Sequence, residues 1–453
     1  MMMSSEGCKP IPQVAGYPVI GTLEPKRYDL LTLVRRQYAR LGPVFRISSF
    51  NRTSVVLAGL EANRLMRTEG HRLFTSVPAW IELNRAFGGD NPVLLSMDPP
   101  DHGKIRSALK PGYAGSALYP RMEQLLESQL RLIQAWPMDT PISVYPHMKR
   151  LVCLLLGYLA TNEDPGEVLD DIIFLFEAVI KIHVLRTWPG FAKHLPNYLR
   201  SRRRVLAMTK RIWEERYAED MLNEAGDFVA LVRSAQTEFP ELLTDNDARA
   251  SIMGPFIAGI DTVAAGISFL LFNVLSRPWL QEAVVAEADA AMADGLPTRQ
   301  SLRRMDVTRR AAMETLRMFP PTPVQPRVAK CDFEFLGHRI EEGERLIIAQ
   351  CMTHYLPEFF PDPERFDIDR FTSERREHAQ ADAYAPYGLG AHTCLGASTA
   401  DLLFLIVSAA LFHHWQVEMD PADYNLKVAM LPLPAPDDRF RMRLTEVRHT
   451  PVT

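Results

Sequence analysis

Ten residues near the C-terminal end, Tyr387-Gly388-Leu389-Gly390-Ala391-His392-Thr393-Cys394-Leu395-Gly396, combine three glycines with a histidine and a cysteine. The glycines permit a tight loop whose backbone can approach a flat ligand closely. An apolar helix is expected immediately afterwards, and a cysteine at a helix N-terminus is biased toward thiolate, the form that ligates metal. A zinc site needs about four ligands, and no second cysteine or C-x-x-C lies nearby. A haem needs only one axial protein ligand, so a lone cysteine suffices. Taken by itself, a free cysteine is more often an inert small hydrophobe in a turn.

Three other constellations could carry chemistry. Ala258-Gly259-Ile260-Asp261-Thr262 sits inside a long helical pattern. An acid followed by an alcohol can relay protons. A glycine there costs a helix about 1 kcal/mol relative to alanine, so something approaches closely or the helix deforms. Glu314 and Arg317 can pair one turn apart, a common and weak signal. His102 and Arg106 share a helix face, where two donors suit a pair of carboxylates. Read alone, they are an ordinary solvated basic helix start.

The thiol loop resembles the F-G-x-G-x-H-x-C-x-G signature of the cytochrome P450 family, with Tyr387 in place of the usual phenylalanine. Further family patterns stand in the expected order: D-P-P-x-H-x-x-x-R at Asp98–Arg106, A-G-x-D-T at Ala258–Thr262, E-x-x-R at Glu314–Arg317 and P-E-R-F at Pro363–Phe366. The resemblance runs over roughly residues 15 to 445. It implies a haem-thiolate monooxygenase with haem b (iron protoporphyrin IX) and Cys394 as the axial iron ligand. His102, Arg106, Arg327 and His392 take the positions of propionate ligands. Asp261 and Thr262 take those of the oxygen-pocket pair that delivers protons. Glu314, Arg317 and Arg365 match a buried structural triad, with Arg370 a nearby rival for the third place. Family positions put Asn84, Phe256, Ala258, Val324, Gln325, Met430, Leu431 and the segment Pro78–Leu95 around the substrate.

The same resemblance implies O2, a small and largely apolar organic substrate, and electrons from separate partners. These would be a ferredoxin with its ferredoxin reductase, or a flavodoxin-type donor. Lys104, Lys110, Arg375 and Arg376 could form a basic face for such an acidic donor. Peroxide-driven peroxygenases and haem-thiolate isomerases or dehydratases are the alternative class. They usually alter the acid–alcohol pair, which is intact here. A non-enzymatic haem carrier or sensor is the third reading. Cys8, Cys153, Cys331 and Cys351 have no comparable setting and read as plain thiols.

These side chains need a scaffold. Apolar residues at three- and four-residue spacing dominate from Pro99 to about Arg309, with helices expected over Leu118–Ala135, Leu151–Tyr158, Asp170–Leu185, Tyr198–Met221 and Ala248–Leu275. Ile173–Leu199, with its Pro189-Gly190 turn, reads as a mobile lid, and Arg202-Arg203-Arg204 as a solvated face. Val44–Ser48 and Ser54–Leu57, flanking Asn51-Arg52, form a hairpin signal. Pro78–Met97 reads as irregular, and short strands follow Pro320, before a last helix Thr399–His413 and a strand-like tail. This is a mostly α (α+β) fold with a small segregated β part. One domain over 1–453 is expected, with 1–14 a disordered tail.

Composition excludes several classes. Over 453 residues, 47% are apolar and 23% charged, which suits a folded globular chain. With 51 basic and 55 acidic residues the net charge is −4, without the basic excess of a nucleic-acid or membrane-surface binder. Five cysteines are too few, and odd in number, for a disulfide framework. The clean apolar run Leu402–Phe412 is well short of the ~20 residues that cross a bilayer. The N-terminus lacks the apolar core of a signal peptide. No membrane anchor and a cytoplasmic location are therefore expected.

Overall fold

Strand Arg52–Ala58 is central to the β part of the chain, because its last four side chains are all buried. It pairs antiparallel with Val44–Ser49 and parallel with Arg345–Ala349. The latter pairs antiparallel with Gln325–Ala329, and that strand with Phe74–Thr75, giving five strands. The computed structural model describes residues 8–16, 22, 29–49, 52–218 and 228–451. Of the expected elements, residues 1–7 and 17–21, Tyr28, Asn51 and the stretch beyond Ala218 of the Tyr198–Met221 helix lie outside the described residues.

The chain forms two compact units: Met1–Trp80 with Ser96–Pro100 and Thr322–Cys394, and Ile81–Leu95 with Asp101–Pro321 and Leu395–Thr453. The five-stranded sheet belongs wholly to the first. One apolar cluster there joins Val55, Leu57, Leu73, Phe74, Leu346 and Ile348; another joins Val34, Phe45, Ile47, Val56 and Met352. Residues 9–14, expected to be part of a disordered tail, are tied into this unit. Lys9 N–H donates to Gly337, Val14 N–H to Arg46, and Val14 is buried.

The second unit is helical. Its axis is Gly254–Leu275, apolar nearly all round and therefore buried, as such a helix must be. A Cβ on Gly259 would lie 2.7 Å from Leu156 of helix Val144–Thr161, so the glycine serves a close helix–helix approach. The expected Ala248–Leu275 helix is split at Met253 into Asp245–Ile252 and Gly254–Leu275. Pro120 confines the first part of the expected Leu118–Ala135 helix to a 3-10 turn, and regular helix starts at Met122. The Asp170–Leu185 pattern is helix Leu169–Val179 followed by a π turn, Ile180–Val184. Pro78–Met97 is not irregular throughout. Val77–Ala86 is helical, and Pro78 is tolerated in its first turn because that N–H has no intrahelical partner.

The arginine run is not simply solvated. Arg202 donates to the Ala86 carbonyl at 2.8 Å and Arg204 pairs with Asp171 at 2.8 Å, leaving Arg203 as the exposed member. Two helical stretches, Asp245–Leu275 and Gly390–His414, are long and apolar enough to cross a membrane. Each has 72% of its apolar window buried inside the protein, as core helices do.

Candidate functional site

The thiol loop is irregular backbone, so its polar groups must find partners outside a ladder. Residues just before it are stapled to the first unit. Asn63 donates to the Asp382 carbonyl at 2.8 Å, Thr353 to the Ala383 carbonyl at 2.7 Å, and Ala385 N–H to His354 Nε2 at 2.9 Å. Asn63, Thr353 and His354 are all wholly buried. Within the loop, Cys394 N–H donates to Tyr387 O at 2.8 Å and Thr393 Oγ1 to Gly390 O at 2.8 Å. Gly390 has φ +72°, and a Cβ there would lie 2.6 Å from the Met66 carbonyl. Both conformation and space therefore demand glycine.

The result is an exposed thiol at Cys394. Burial pushes the thiols of Cys153 and Cys351 well above the usual range, which makes them inert. The helix after the loop begins at Ala397, with Gly396 at its cap. Cys394 thus precedes the cap rather than standing in the first turn, where the macrodipole is strongest.

Gln325, Arg327 and His392 belong to the same unit. Arg327 is buried and donates to the Pro326 carbonyl at 2.8 Å and to Gln325 Oε1 at 2.6 Å. Burial lowers its pKa to about 10, with Asp98 opposing, so it remains a cation at neutral pH. Neither hydrogen-bond acceptor is a carboxylate. A buried guanidinium served by neutral oxygens suits an anionic group, and a lone exposed thiol suits a metal needing one protein ligand. The residues present therefore fit a haem. Gln325 is drawn to Arg327 and to the thiol loop, where a Cβ on Gly388 would lie 2.2 Å from its Nε2. His392 Nε2 lies 3.2 Å from Ser76 Oγ, and Ser76 N–H donates to Asp98 at 3.0 Å.

The acid–alcohol pair lies in the second unit, on helix Gly254–Leu275. Asp261 is buried. Its Oδ1 accepts from Tyr145 Oη at 2.9 Å and lies 3.3 Å from Lys149 Nζ, while Oδ2 is buried without a hydrogen-bond partner. Lys149 is also 3.3 Å from Glu177, which Lys181 reaches at 2.5 Å. Burial opposes the Lys149 ammonium, but Asp261 and Glu177 outweigh it and raise its pKa. Burial likewise opposes the Glu177 carboxylate, but Lys149 and Lys181 lower its pKa overall. Tyr145 is pushed well up by burial and by Asp261, and stays a phenol. Adjacent helical residues do not face each other. Thr262 accordingly points elsewhere, donating to the Ala258 carbonyl at 2.7 Å. Ala258 is exposed and Thr262 partly so on a helix otherwise mostly buried, and their i,i+4 spacing makes one open stripe.

The remaining expected residues divide. His102 is buried and Arg106 half-buried on helix Asp101–Leu109. Glu314 and Arg317 form a wholly buried pair at 2.7 Å. Arg365, expected to be a buried structural guanidinium, is exposed. The wholly buried one is Arg370, which holds Glu377 at 2.8 Å and the Asp362 carbonyl at 2.9 Å. Asn84 is buried and donates to the Asn91 carbonyl, so its amide is spent on its own loop. Phe256 is buried, Val324 packs on an apolar cluster, and Met430 and Leu431 are half-buried. Lys104 is paired with Asp101 and Arg375 with Asp367, whereas Lys110 and Arg376 have no carboxylate at ion-pair distance among the described residues. Sequence reasoning missed Asn63, Thr353, His354, Tyr145 and Lys149. The Y-x-x-x-K spacing on an apolar helix, two polar groups one turn apart, was the available signal for the last pair. Among the described residues, Asp289, His413 and His449 come close enough to share a metal ion, but Arg448 already pairs with both Asp289 oxygens.

The family model described as Cytochrome P450 matches residues 7–435. A taxane 10-beta-hydroxylase of Taxus cuspidata is 24% identical over 96% of this chain and 89% of its own length. The abscisic acid 8'-hydroxylase 2 of Arabidopsis thaliana is 24% identical over 96% and 90%. A cyclooctat-9-en-7-ol 5-monooxygenase of Streptomyces melanosporofaciens is 28% identical over 43% of each chain. The crystal structure of a cytochrome P450DA haem domain superposes with a TM-score of 0.83, covering 98% of this chain and 99% of that one at 24% identity.

Replacing Lys149 by methionine strips Asp261 and Glu177 of their shared cation, a loss expected to cost about 3–5 kcal/mol. Glu177, with its lowered pKa, contributes stability that is lost as pH falls through its folded value; Lys149, with its raised pKa, contributes stability lost as pH rises through its own. The gap in melting temperature between wild type and Lys149→Met should therefore be widest near neutrality and narrow toward acid, as thermal melts across pH will show.

Proposed function

The chain belongs to the cytochrome P450 family of haem-thiolate monooxygenases, and we propose that Cys394 would supply the thiolate that holds haem b. The observation that carries this assignment is that Cys394 alone of the five cysteines is exposed, in a loop whose glycines and backbone bonds leave the thiol open. When bound, the haem supplies activation of dioxygen with electrons from outside the chain. Arg327 and His392 would hold its propionates, a role that the resemblance gives also to His102 and Arg106, and the buried Arg327 cation is the member with the most to gain from an anion. Glu314 and Arg317 are scaffold.

Asp261 moves the proton. Tyr145 and Lys149 fix Oδ1, leaving the unpartnered Oδ2 to take up and release it. Because Asp261 and Thr262 face different sides of the helix, an intervening water carries the proton to the Thr262 hydroxyl. That hydroxyl, now bonded to the Ala258 carbonyl, rotates to pass it on. The open Ala258–Thr262 stripe, with Phe256, Met430 and Leu431 of the same unit, positions a small, largely apolar organic substrate for hydroxylation or a related oxidation. The similar proteins named as hydroxylases of a taxane and of abscisic acid support that class. An intact acid–alcohol pair favours oxygen over peroxide as oxidant. Electrons come from a ferredoxin with its reductase or a flavodoxin-type donor, and a cytoplasmic location goes with such soluble partners. Lys110 and Arg376, without a carboxylate at ion-pair distance among the described residues, are the cations that would meet an acidic donor.

Three measurements test this reading. The reduced protein with carbon monoxide should show the red-shifted Soret band of thiolate-ligated haem, and Cys394→Ala should abolish it; survival of the band in the variant would refute the ligand. Asp261→Asn should slow oxygen-dependent turnover by about 100-fold and enlarge the solvent isotope effect, with the carbon monoxide band kept; unchanged turnover excludes the relay. The Lys110→Glu, Arg376→Glu double variant should slow reduction by ferredoxin more at low salt than at high salt, and equal rates would remove the docking role.

A further inference from the structure

Asp247 lies in the first turn of Asp245–Ile252, and its side chain is wholly buried. Thr244 caps this helix, and a capping box accounts for one carboxylate oxygen. Oδ2 accepts from Thr244 N–H at 3.1 Å and Thr244 Oγ1 at 2.8 Å, while Thr244 Oγ1 accepts from Asp247 N–H at 3.2 Å. Capping does not need the other oxygen. Oδ1 accepts two successive backbone N–H groups from a distant segment, Asp90 at 2.7 Å and Asn91 at 2.9 Å, and Oδ2 also accepts Asn91 Nδ2 at 2.9 Å. Asn246 adds a bond to Asp90 Oδ2 at 2.9 Å. Burial alone would raise the Asp247 pKa, but these bonds from Asn91, Thr244 and Asp90 outweigh it and hold the carboxylate ionised.

The segment so held is closed on itself. Asn84 donates to the Asn91 carbonyl, and Phe87 and Gly89 N–H groups donate to the Asn84 carbonyl at 3.0 and 3.1 Å. A Cβ on Gly89 would lie 2.2 Å from the Asn84 amide. Arg202 holds the Ala86 carbonyl, so the loop is pinned to two helices. Asp245–Ile252 continues, after Met253, into the helix that carries Phe256, Ala258, Asp261 and Thr262. At about 1.5 Å per residue, Ala258 and Thr262, eleven and fifteen residues on, lie about 16 and 23 Å from Asp247 along this helical stretch, which is interrupted at Met253.

We propose that Asp247 is a positioning residue that fixes the 84–91 loop relative to the catalytic helix, and so sets the size and shape of organic ligand the enzyme accepts. This rests on the haem-thiolate reading above for where the ligand binds, whereas the latch itself rests on the bonds just given.

The test compares Asp247→Asn with wild type in the haem-loaded full chain. The amide nitrogen faces donors at whichever oxygen it replaces, so either the two backbone bonds at Oδ1 or the Asn91 Nδ2 and Thr244 bonds at Oδ2 fail, while side-chain volume is kept. Amide hydrogen exchange over residues 84–91 should accelerate. The ratio of dissociation constants for 4-phenylimidazole and the bulkier clotrimazole, read from Soret shifts, should change about tenfold. Thr244→Ala, which removes the cap hydroxyl and spares the Oδ1 bonds, should lower the melting temperature and leave that ratio alone. An unchanged ratio in Asp247→Asn, or an equal change in Thr244→Ala, overturns the proposal. Should Asp247→Asn fail to fold, Asn91→Ala removes one donor and must move the ratio in one direction by a smaller factor; no movement overturns it. If wild type shows no azole-induced shift, the haem-thiolate reading fails, while unchanged exchange over 84–91 in Asp247→Asn separately overturns the latch.

Discussion

An open thiol must be carried by backbone that is neither helix nor ladder, and such backbone must still satisfy its polar groups. That constraint shapes much of the first unit. Asn63, Thr353 and His354 are wholly buried polar side chains that would each cost free energy if unpaired. Their bonds go to residues 382, 383 and 385, just ahead of the thiol loop. Thr353 and His354 follow directly from Arg345–Ala349, and Asn63 comes from the helix after Arg52–Ala58. These are the two strands that pair in parallel at the middle of the sheet. The sheet is thus less a platform for substrate than the rigid support of a loop that cannot support itself.

The second unit solves a different problem, how to keep a carboxylate inside an apolar helix bundle. One cation alone would leave a buried, nearly isolated ion pair. The Asp261 charge is instead spread along Lys149, Glu177 and Lys181, across three helical segments, with Tyr145 as a neutral donor. Alternating charges of this kind lower each member's burial penalty. The arrangement is asymmetric, because Oδ1 has every partner and Oδ2 none. An orphaned buried oxygen is destabilising until a partner reaches it, and among the described residues Asn63 Oδ1 and Gln350 Oε1 share that condition with Asp261 Oδ2.

Local periodicity made most of the fold readable. The hairpin, the long axial helix and the final apolar helix stand close to where the apolar runs put them, although their burial is continuous rather than one-sided: the last four side chains of Arg52–Ala58 are buried in succession and both helices are buried nearly all round. The errors fall where a single residue overrides the pattern. Pro120 shortens a helix, Pro78 opens one, and Pro255, which lacks an N–H, interrupts another at Met253. Long-range polar pairing was not legible at all. Nothing in Asp247 or Asn63 announces a partner 156 or 319 positions away, since a buried polar residue looks in sequence like an exposed one. Among the candidate residues, the motifs named the thiol and the acid but not the groups that hold them. Asn84 and Gln325 stand at positions expected around the substrate, yet both amides bond to neighbouring backbone or side chains.

Arginine placement shows why motif position and physical role can part. Arg365 and Arg370 are five residues apart in one irregular stretch, and the motif singles out the first. A guanidinium can be buried only where several acceptors surround its fork. Around Arg370 the chain supplies Glu377 and the carbonyls of Asp362 and Arg365. Arg365 contributes its carbonyl to that nest while its side chain is exposed. Acceptor supply, set by how the loop folds back on itself, decides which arginine is interior. The same logic separates Arg327 from both, because its hydrogen-bond acceptors are neutral and only the longer-range charge of Asp98 offsets its burial.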